Sequence, residues 1–271
     1  MSRNGMISEC LDGLRAAGKK GLIAFITAGD PGLAETVEIA LSMAGAGADI
    51  IELGIPFSDP LADGPVIQQA SQRALARGAT IPRILETVRE IRRRCGKPLV
   101  LMGYYNPIYR YGAVRFAADA SGAGVNGVIV PDLPYEESGP LRDAAREAGV
   151  DLIPLVAPTT TGRRLARIAA AARGFIYCVS VTGVTGAREV IETDLEAFTG
   201  LVRWHTALPL ALGFGIAGPE QAVRVSAHCD AVVVGSAIVS IIAEYGKDPS
   251  AGREAAALVG RIRAALDEGR L

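Results

Sequence analysis

Apolar residues along this chain fall into short continuous runs, separated by longer stretches in which they recur every three or four positions. A continuous run of roughly four to eight residues marks a strand covered on both faces in a parallel sheet, and the wider spacing marks one buried face of a helix. The first helix is expected over Asn4 to Ala17, with Met6, Cys10, Leu11 and Leu14 on one side and Gly18 as its stop. A strand follows over Gly21 to Ala28, then the breaker Gly29-Asp30-Pro31-Gly32, then a helical stripe at Leu33, Val37, Ala40, Leu41 and Ala44.

This unit repeats. Further strands are expected at Asp49 to Ile55, Pro98 to Gly103, Gly127 to Val130, Asp151 to Ala157, Phe175 to Ser180, Pro209 to Phe214 and Asp230 to Val234. Helices are expected from Ile81 to a stop at Arg92–Arg94 and Gly96, up to about Ser121, over Tyr135 to Ala148, and around Leu165 to Ala172. Three more are expected over Asp194 to Trp204, from about Ser236 and from about Ala251. Eight such units without a linker predict an α/β fold, a (β/α)8 TIM barrel in a single domain over residues 1–271 with an extra N-terminal helix. A doubly wound sheet has the same alternation, because periodicity does not reveal closure.

Composition narrows the function. Hydrophobic residues make up 49% but aromatics only 5%, so the core must be built from Ala, Val, Ile and Leu. A formal charge of −1 gives no long-range field to draw nucleic acid or an anionic membrane surface. The four cysteines lie far apart without CxxC spacing, which speaks for a reducing compartment and against a zinc site or disulfide framework. No metal is expected, since neither His205 nor His228 has a metal-type ligand near it in sequence. Together with Trp204 they look structural. A leader-like apolar segment and any run of the roughly 20 residues needed to span a membrane are missing, so a cytoplasmic location is expected.

In a barrel the chemistry belongs at the C-terminal ends of the strands. Glu52 lies inside the second apolar run, on the face it shares with Ile50 and Gly54. Desolvation should push its pKa upward, toward the range useful for moving protons near neutrality. A structural Glu paired with an Arg would give the same pattern. Asp63, before Gly64-Pro65, is either a second functional acid or a turn and capping residue. Asp59 before Pro60 reads as turn chemistry, and Asp132 is ambiguous. Gly213-Phe214-Gly215 and Gly235-Ser236 end the seventh and eighth runs, where backbone N–H groups and a helix N-terminus can hold a phosphate. Tight turns alone would also use these glycines. Tyr177 either points into the mouth or is core, and Cys178 reads as a small buried hydrophobe. No Lys stands at a strand end, which disfavours a Schiff-base aldolase and leaves acid/base catalysis for any carbon–carbon cleavage.

The stretch Glu52-Leu53-Gly54-Ile55-Pro56-Phe57-Ser58-Asp59-Pro60-Leu61-Ala62-Asp63-Gly64-Pro65 closely resembles the signature of the tryptophan synthase alpha subunit family. Similar matches run through Phe25 to Gly32, Met102 to Pro107, Pro131 to Pro134, Val181 to Gly186, Gly213 to Ile216 and Gly235 to Ile238. The resemblance implies retro-aldol cleavage of indole-3-glycerol phosphate to indole and D-glyceraldehyde 3-phosphate. It also implies that indole passes to a pyridoxal-phosphate-dependent beta subunit, in a heterotetramer of two alpha and two beta chains, with no cofactor in this chain. Carried over residue by residue, Glu52 would be the general acid/base and Asp63 would manage the proton on the indole nitrogen. Gly186, Gly215, Gly235 and Ser236 would hold the phosphate, Tyr177 would lie close to the substrate, and Phe25 and Ile129 would line the indole slot. The loop after the sixth strand would close over the ligand. The partner would meet Pro56, Asp59, Tyr104, Asn106 and Pro107 at the barrel mouth. Two alternatives are another phosphate-binding barrel isomerase and a non-catalytic paralogue that binds or activates a beta subunit. The first leaves the Glu52–Pro65 signature unexplained, and retention of both acids speaks against the second.

Overall fold

The computed structural model describes residues 5–179, 194–213 and 215–269. Among the described residues, nine parallel strands form one sheet in the order β5-β4-β3-β2-β1-β9-β8-β7-β6. Their ranges are β1 Gly21–Thr27, β2 Ile50–Gly54, β3 Leu99–Met102, β4 Gly127–Ile129, β5 Asp151–Ile153, β6 Leu155–Val156, β7 Ile176–Val179, β8 Leu210–Gly213 and β9 Ala231–Val234. The two ends of that order, β5 and β6, are halves of the single strand expected over Asp151 to Ala157. Pro154 separates them because it has no N–H to give to a ladder, although its carbonyl still accepts from Tyr177 N at 3.0 Å. β5 pairs with β4 and β6 with β7, so the sheet closes on itself and the doubly wound alternative falls away.

Side-chain alternation divides the core in two. Leu22, Ala24 and Ile26 of β1, with Ile51 and Leu53 of β2, face outward under the helices. Ile23, Ile50, Val100, Ile129 and Val233 fill the barrel interior. Helix α1 (Met6–Ala16) closes the interior from below, because its Ile7 and Leu11 belong to this inner cluster. Gly127 makes room for the plug: a Cβ there would lie 2.7 Å from Ile7 Cδ1.

The same end of the barrel uses one polar device three times. Asp49 accepts the N–H of Leu22 at 2.9 Å, Asn126 that of Leu99 at 2.9 Å and Asp230 that of Leu210 at 2.8 Å. Each also receives an arginine, Arg263 at 3.2 Å, Arg92 at 2.7 Å and Arg203 at 3.1 Å respectively. These side chains satisfy backbone donors at strand starts that the ladder leaves over. They stitch neighbouring strands at the end a barrel devotes to stability.

Several elements differ from expectation. Two helices follow β2, α3 (Pro65–Ala76) and α4 (Ile81–Arg94), where only the second is expected. Pro65 at a helix start and the buried positions Ile67, Ala70, Ser71 and Ala74 are the signal for α3. The segment after β3 is already helical in α5 (Tyr105–Tyr111), and Gly112, at φ 93°, separates it from α6 (Ala113–Ala123). Helix α7 begins at Gly139 rather than Tyr135 and ends at Ala148, and α8 spans Gly162–Ala171. The remaining helices are α9 (Leu195–His205), α10 (Pro219–Ser226), α11 (Ser236–Tyr245) and α12 (Ser250–Glu268). Trp204 is 85% exposed, not structural. α9 buries Phe198, Thr199 and Val202, and a residue two beyond Val202 falls on the opposite side of a helix.

The plug makes a stability prediction. Leu11→Ala should lower the unfolding free energy by about 2–5 kcal/mol, the cost of emptying a packed site that collapses only partly. Urea unfolding reads it; a loss below about 1 kcal/mol would mean that α1 does not pack as a plug.

Candidate active site

Glu52 stands at the centre of β2, paired in register with Phe25 of β1 and Val100 of β3. Its side chain faces the interior, as its place between Ile50 and Gly54 requires, and it is fully buried. Among the described residues, neither carboxylate oxygen has a hydrogen-bond partner. The structural salt bridge left open by sequence is therefore not found there. Desolvation, with a smaller push from the charge of Asp63, raises the Glu52 pKa from 4.5 to about 8. At neutral pH the group is a carboxylic acid with its proton in hand.

Asp63 sits in a different setting. It follows a turn closed by its own N–H to Pro60 O at 3.1 Å, and its backbone carbonyl accepts from Gln68 Nε2 at 2.9 Å. The N-cap of α3 is Gly64, with no side-chain capping bond among the described residues, so Asp63 is not a capping residue. Its Oδ2 accepts instead from the Tyr104 hydroxyl at 3.0 Å. Burial raises its pKa above the usual aspartate value, and the Tyr104 bond offsets only part of that rise.

The surrounding walls come from several elements. Phe25 packs with Ile67 and Ala70 of α3 and Val239 of α11, and its ring crosses Gly54, where a Cβ would lie 2.7 Å from Phe25 Cζ. Ile129 and Tyr177 belong to the inner cluster beside Val100 and Ile153. The Tyr177 hydroxyl reaches the space over Gly213, 2.6 Å from where a Cβ would stand. Burial first, then the charges of Glu52 and Asp63, keep its phenol protonated far above the usual range. A cavity of about 630 Å³ opens between the segments that follow β4 and β6, with Ala62, Met102, Asp132, Tyr135, Leu155 and Val179 in its wall; neither Glu52 nor Asp63 lines it. Loop and helix are fastened from behind: Arg73 of α3 donates to Asp30, after β1, at 2.9 and 2.6 Å.

Across the mouth, Gly215 adopts φ +61°, a left-handed conformation that favours glycine. Gly235 is the N-cap of α11, which starts at Ser236 with no side-chain cap among the described residues. The first-turn N–H groups of such a helix, with its dipole, form an anion site. Gly186 and the whole loop 181–193 lie outside the described residues, as does Phe214.

The expected partner-facing residues divide. Asp59 and Asn106 are exposed and Pro107 is half-buried, but Pro56 and Tyr104 are buried. Tyr104 is turned inward by its contacts with Phe57, at 5.2 Å between ring centroids, and with Asp63. It lines the site rather than offering free surface. Sequence reasoning also passed over Met102 and Thr27. Thr27 Oγ1 is buried at the mouth without a partner among the described residues. Position at a strand end on the inward face was the signal that could have found both.

The chain as a whole is similar to proteins of one family. The sequence model of the family described as tryptophan synthase alpha chain matches residues 11–266. The tryptophan synthase alpha chain of Geobacter sulfurreducens is 50% identical over 253 residues, covering 93% of this chain and 96% of that one. The Clostridium kluyveri protein of the same name is 55% identical over 229 residues, covering 84% and 87%. Among solved structures, tryptophan synthase subunit alpha from Legionella pneumophila superposes with a TM-score of 0.90 at 40% identity, covering 99% of each chain. A Mycobacterium tuberculosis tryptophan synthase structure matches with a TM-score of 0.87 at 36% identity, covering 96% of this chain and 97% of that one.

Burial of Glu52 has a consequence for stability. Between 4.5 and about 8 the folded chain holds a proton on Glu52 that the unfolded chain has released. A group with a raised folded pKa stabilises most below its unfolded value and loses that contribution as pH rises through the window. Glu52→Gln does not titrate, so its stability relative to wild type should grow by about 2 kcal/mol or more from pH 5 to pH 8. Thermal unfolding of the two proteins across that range checks this; a constant difference would mean that Glu52 ionises normally in the fold.

Proposed function

The chain belongs to the tryptophan synthase alpha chain family, and we propose that Glu52 and Asp63 divide between them the proton transfers of that family's reaction. The protein is a carbon–carbon lyase of tryptophan biosynthesis that cleaves indole-3-glycerol phosphate to indole and D-glyceraldehyde 3-phosphate. Breaking the bond between the indole ring and the glycerol chain requires the ring carbon to be protonated first. Aromaticity is lost and the ring nitrogen becomes acidic. Glu52 supplies the proton to carbon, and the Asp63 carboxylate holds the charged ring N–H. Glu52, now a carboxylate, takes the proton of the glycerol hydroxyl as that oxygen becomes the aldehyde. The electrons of the broken bond restore the aromatic ring, and Glu52 ends protonated as it began.

What carries this division is the contrast between the two acids. Glu52 is buried without a partner among the described residues and carries its proton up to about pH 8. Asp63 is held by a hydroxyl donor, which favours its ionised form. One fold thus gives two neighbouring acids different settings, and the division of labour uses that difference. Phe25 and Ile129 supply the apolar slot for the ring, with Tyr177 beside the substrate. Gly215, Gly235 and Ser236 take the phosphate, and Gly186 is proposed to join them. No step calls on a bound cofactor in this chain.

An alpha chain of this family works with a beta-subunit partner. We propose two of each in the assembly, with pyridoxal phosphate in the beta chain and Asp59, Asn106 and Pro107 on the shared face. None of the described helices is long and apolar enough to cross a membrane. Together with the biosynthetic role this supports a cytoplasmic protein, and residues 1–271 are taken as one domain.

A coupled assay for glyceraldehyde 3-phosphate, with and without a beta subunit, tests the division. Glu52→Gln should lower kcat by about 10²–10⁴-fold, the scale of general acid–base catalysis, and Asp63→Asn should slow single turnover strongly while phosphate binding survives. Wild-type kcat/KM should fall above pH about 8, because Glu52 must start protonated. Near-normal turnover of Glu52→Gln would remove Glu52 from the chemistry.

A further inference from the structure

Tyr104 has a hydrogen-bond pattern that leaves it one job. It stands two residues beyond β3, is only 5% exposed, and packs its ring on Phe57. The Ala62 N–H donates to its hydroxyl at 2.9 Å, and the same oxygen lies 3.0 Å from Asp63 Oδ2. A phenol has one proton, and the Ala62 N–H approaches it as a donor, so the proton is directed at the carboxylate. Tyr104 thereby ties down two consecutive residues of the loop, one through its backbone and one through its carboxylate. Asp63 Oδ1 is not engaged by Tyr104.

We propose that Tyr104 is a positioning residue for the cleavage: it aims the Asp63 carboxylate into the mouth, with one oxygen held by the phenol and the other presented to the ring N–H. This rests on the role of Asp63 proposed above. A loop carboxylate without such an anchor samples many orientations, and misplacement by about an ångström costs on the order of 10²-fold in rate. The phenol does not compete as an acid, because burial, the charge of Asp63 and that of Asp132 hold its own pKa well above the usual tyrosine range. The groups that face Asp63 are Glu52 from β2, Tyr177 from β7 and Tyr104 itself. Of these only the Tyr104 bond favours the ionised carboxylate.

A double-mutant cycle in the complex with a beta subunit tests the proposal, using Tyr104→Phe, Asp63→Asn and the combination. Tyr104→Phe should lower single-turnover cleavage by about tenfold or more, as expected for a lost hydrogen bond to a charged group. KM should change little, and the acid limb of the pH profile should move to higher pH. In the Asp63→Asn background the same substitution should cost less than about twofold, because its effect passes through Asp63. An equal cost in both backgrounds, or an unmoved acid limb, overturns the proposal. If Asp63→Asn alone keeps the wild-type rate, the role of Asp63 fails first, and that result is read separately. Should Tyr104→Phe unfold, 3-fluorotyrosine at position 104 keeps the size and strengthens the donor. It should move the acid limb to lower pH, and no movement would again overturn the proposal.

Discussion

A carboxyl group placed in the middle of a parallel strand, with apolar residues beside it and no partner among the described residues, persists only by keeping its proton. Everything at the mouth of this barrel is arranged around that constraint on Glu52. β1 and β3 pair on either side of it, Phe25 lies across Gly54 above it, and the inner cluster of Ile23, Ile50 and Val100 closes the floor. The negative charge of Asp63 reinforces the effect of burial. A site that must protonate a carbon needs such an acid, and the fold provides it at a cost in stability.

The two ends of the barrel treat buried polar side chains in opposite ways. Below, Asp49, Asn126 and Asp230 each take a backbone N–H and an arginine, so every one is spent on structure. Above, Glu52 has no such partner among the described residues, and Asp63 has a phenol rather than a cation. An arginine beside either acid would hold it ionised or shield it from substrate. Asp30, which does carry arginine at the mouth, ties the loop after β1 to α3 and is a fastening, not a reagent.

Much of the architecture was legible in the chain because parallel strands covered on both faces are written as continuous apolar runs. The inward direction of Glu52 followed from alternation alone, since Ile50 and Gly54 share its face. α3 was missed because its polar positions dilute a short stripe beside a Pro- and Gly-rich loop. The split at Pro154 was visible in the residue but not in the hydrophobicity, which runs on through it. The family resemblance puts Tyr104 on the partner-facing side of the mouth, whereas its side chain is buried. Its partners, Ala62 and Asp63, lie 42 and 41 residues away in sequence, and only the closed barrel brings them together. A contact of that kind leaves no periodic trace.

The protonation state of Glu52 is the centre of the account and can be observed without turnover. Infrared difference spectra of wild type against Glu52→Gln, with glutamate carboxyls isotope-labelled, isolate its carbonyl stretch across pH. The protonated-acid band should be present at pH 7 and disappear with a midpoint near 8. A carboxylate band already complete at pH 6 would contradict the account, because Glu52 would then have no proton to give.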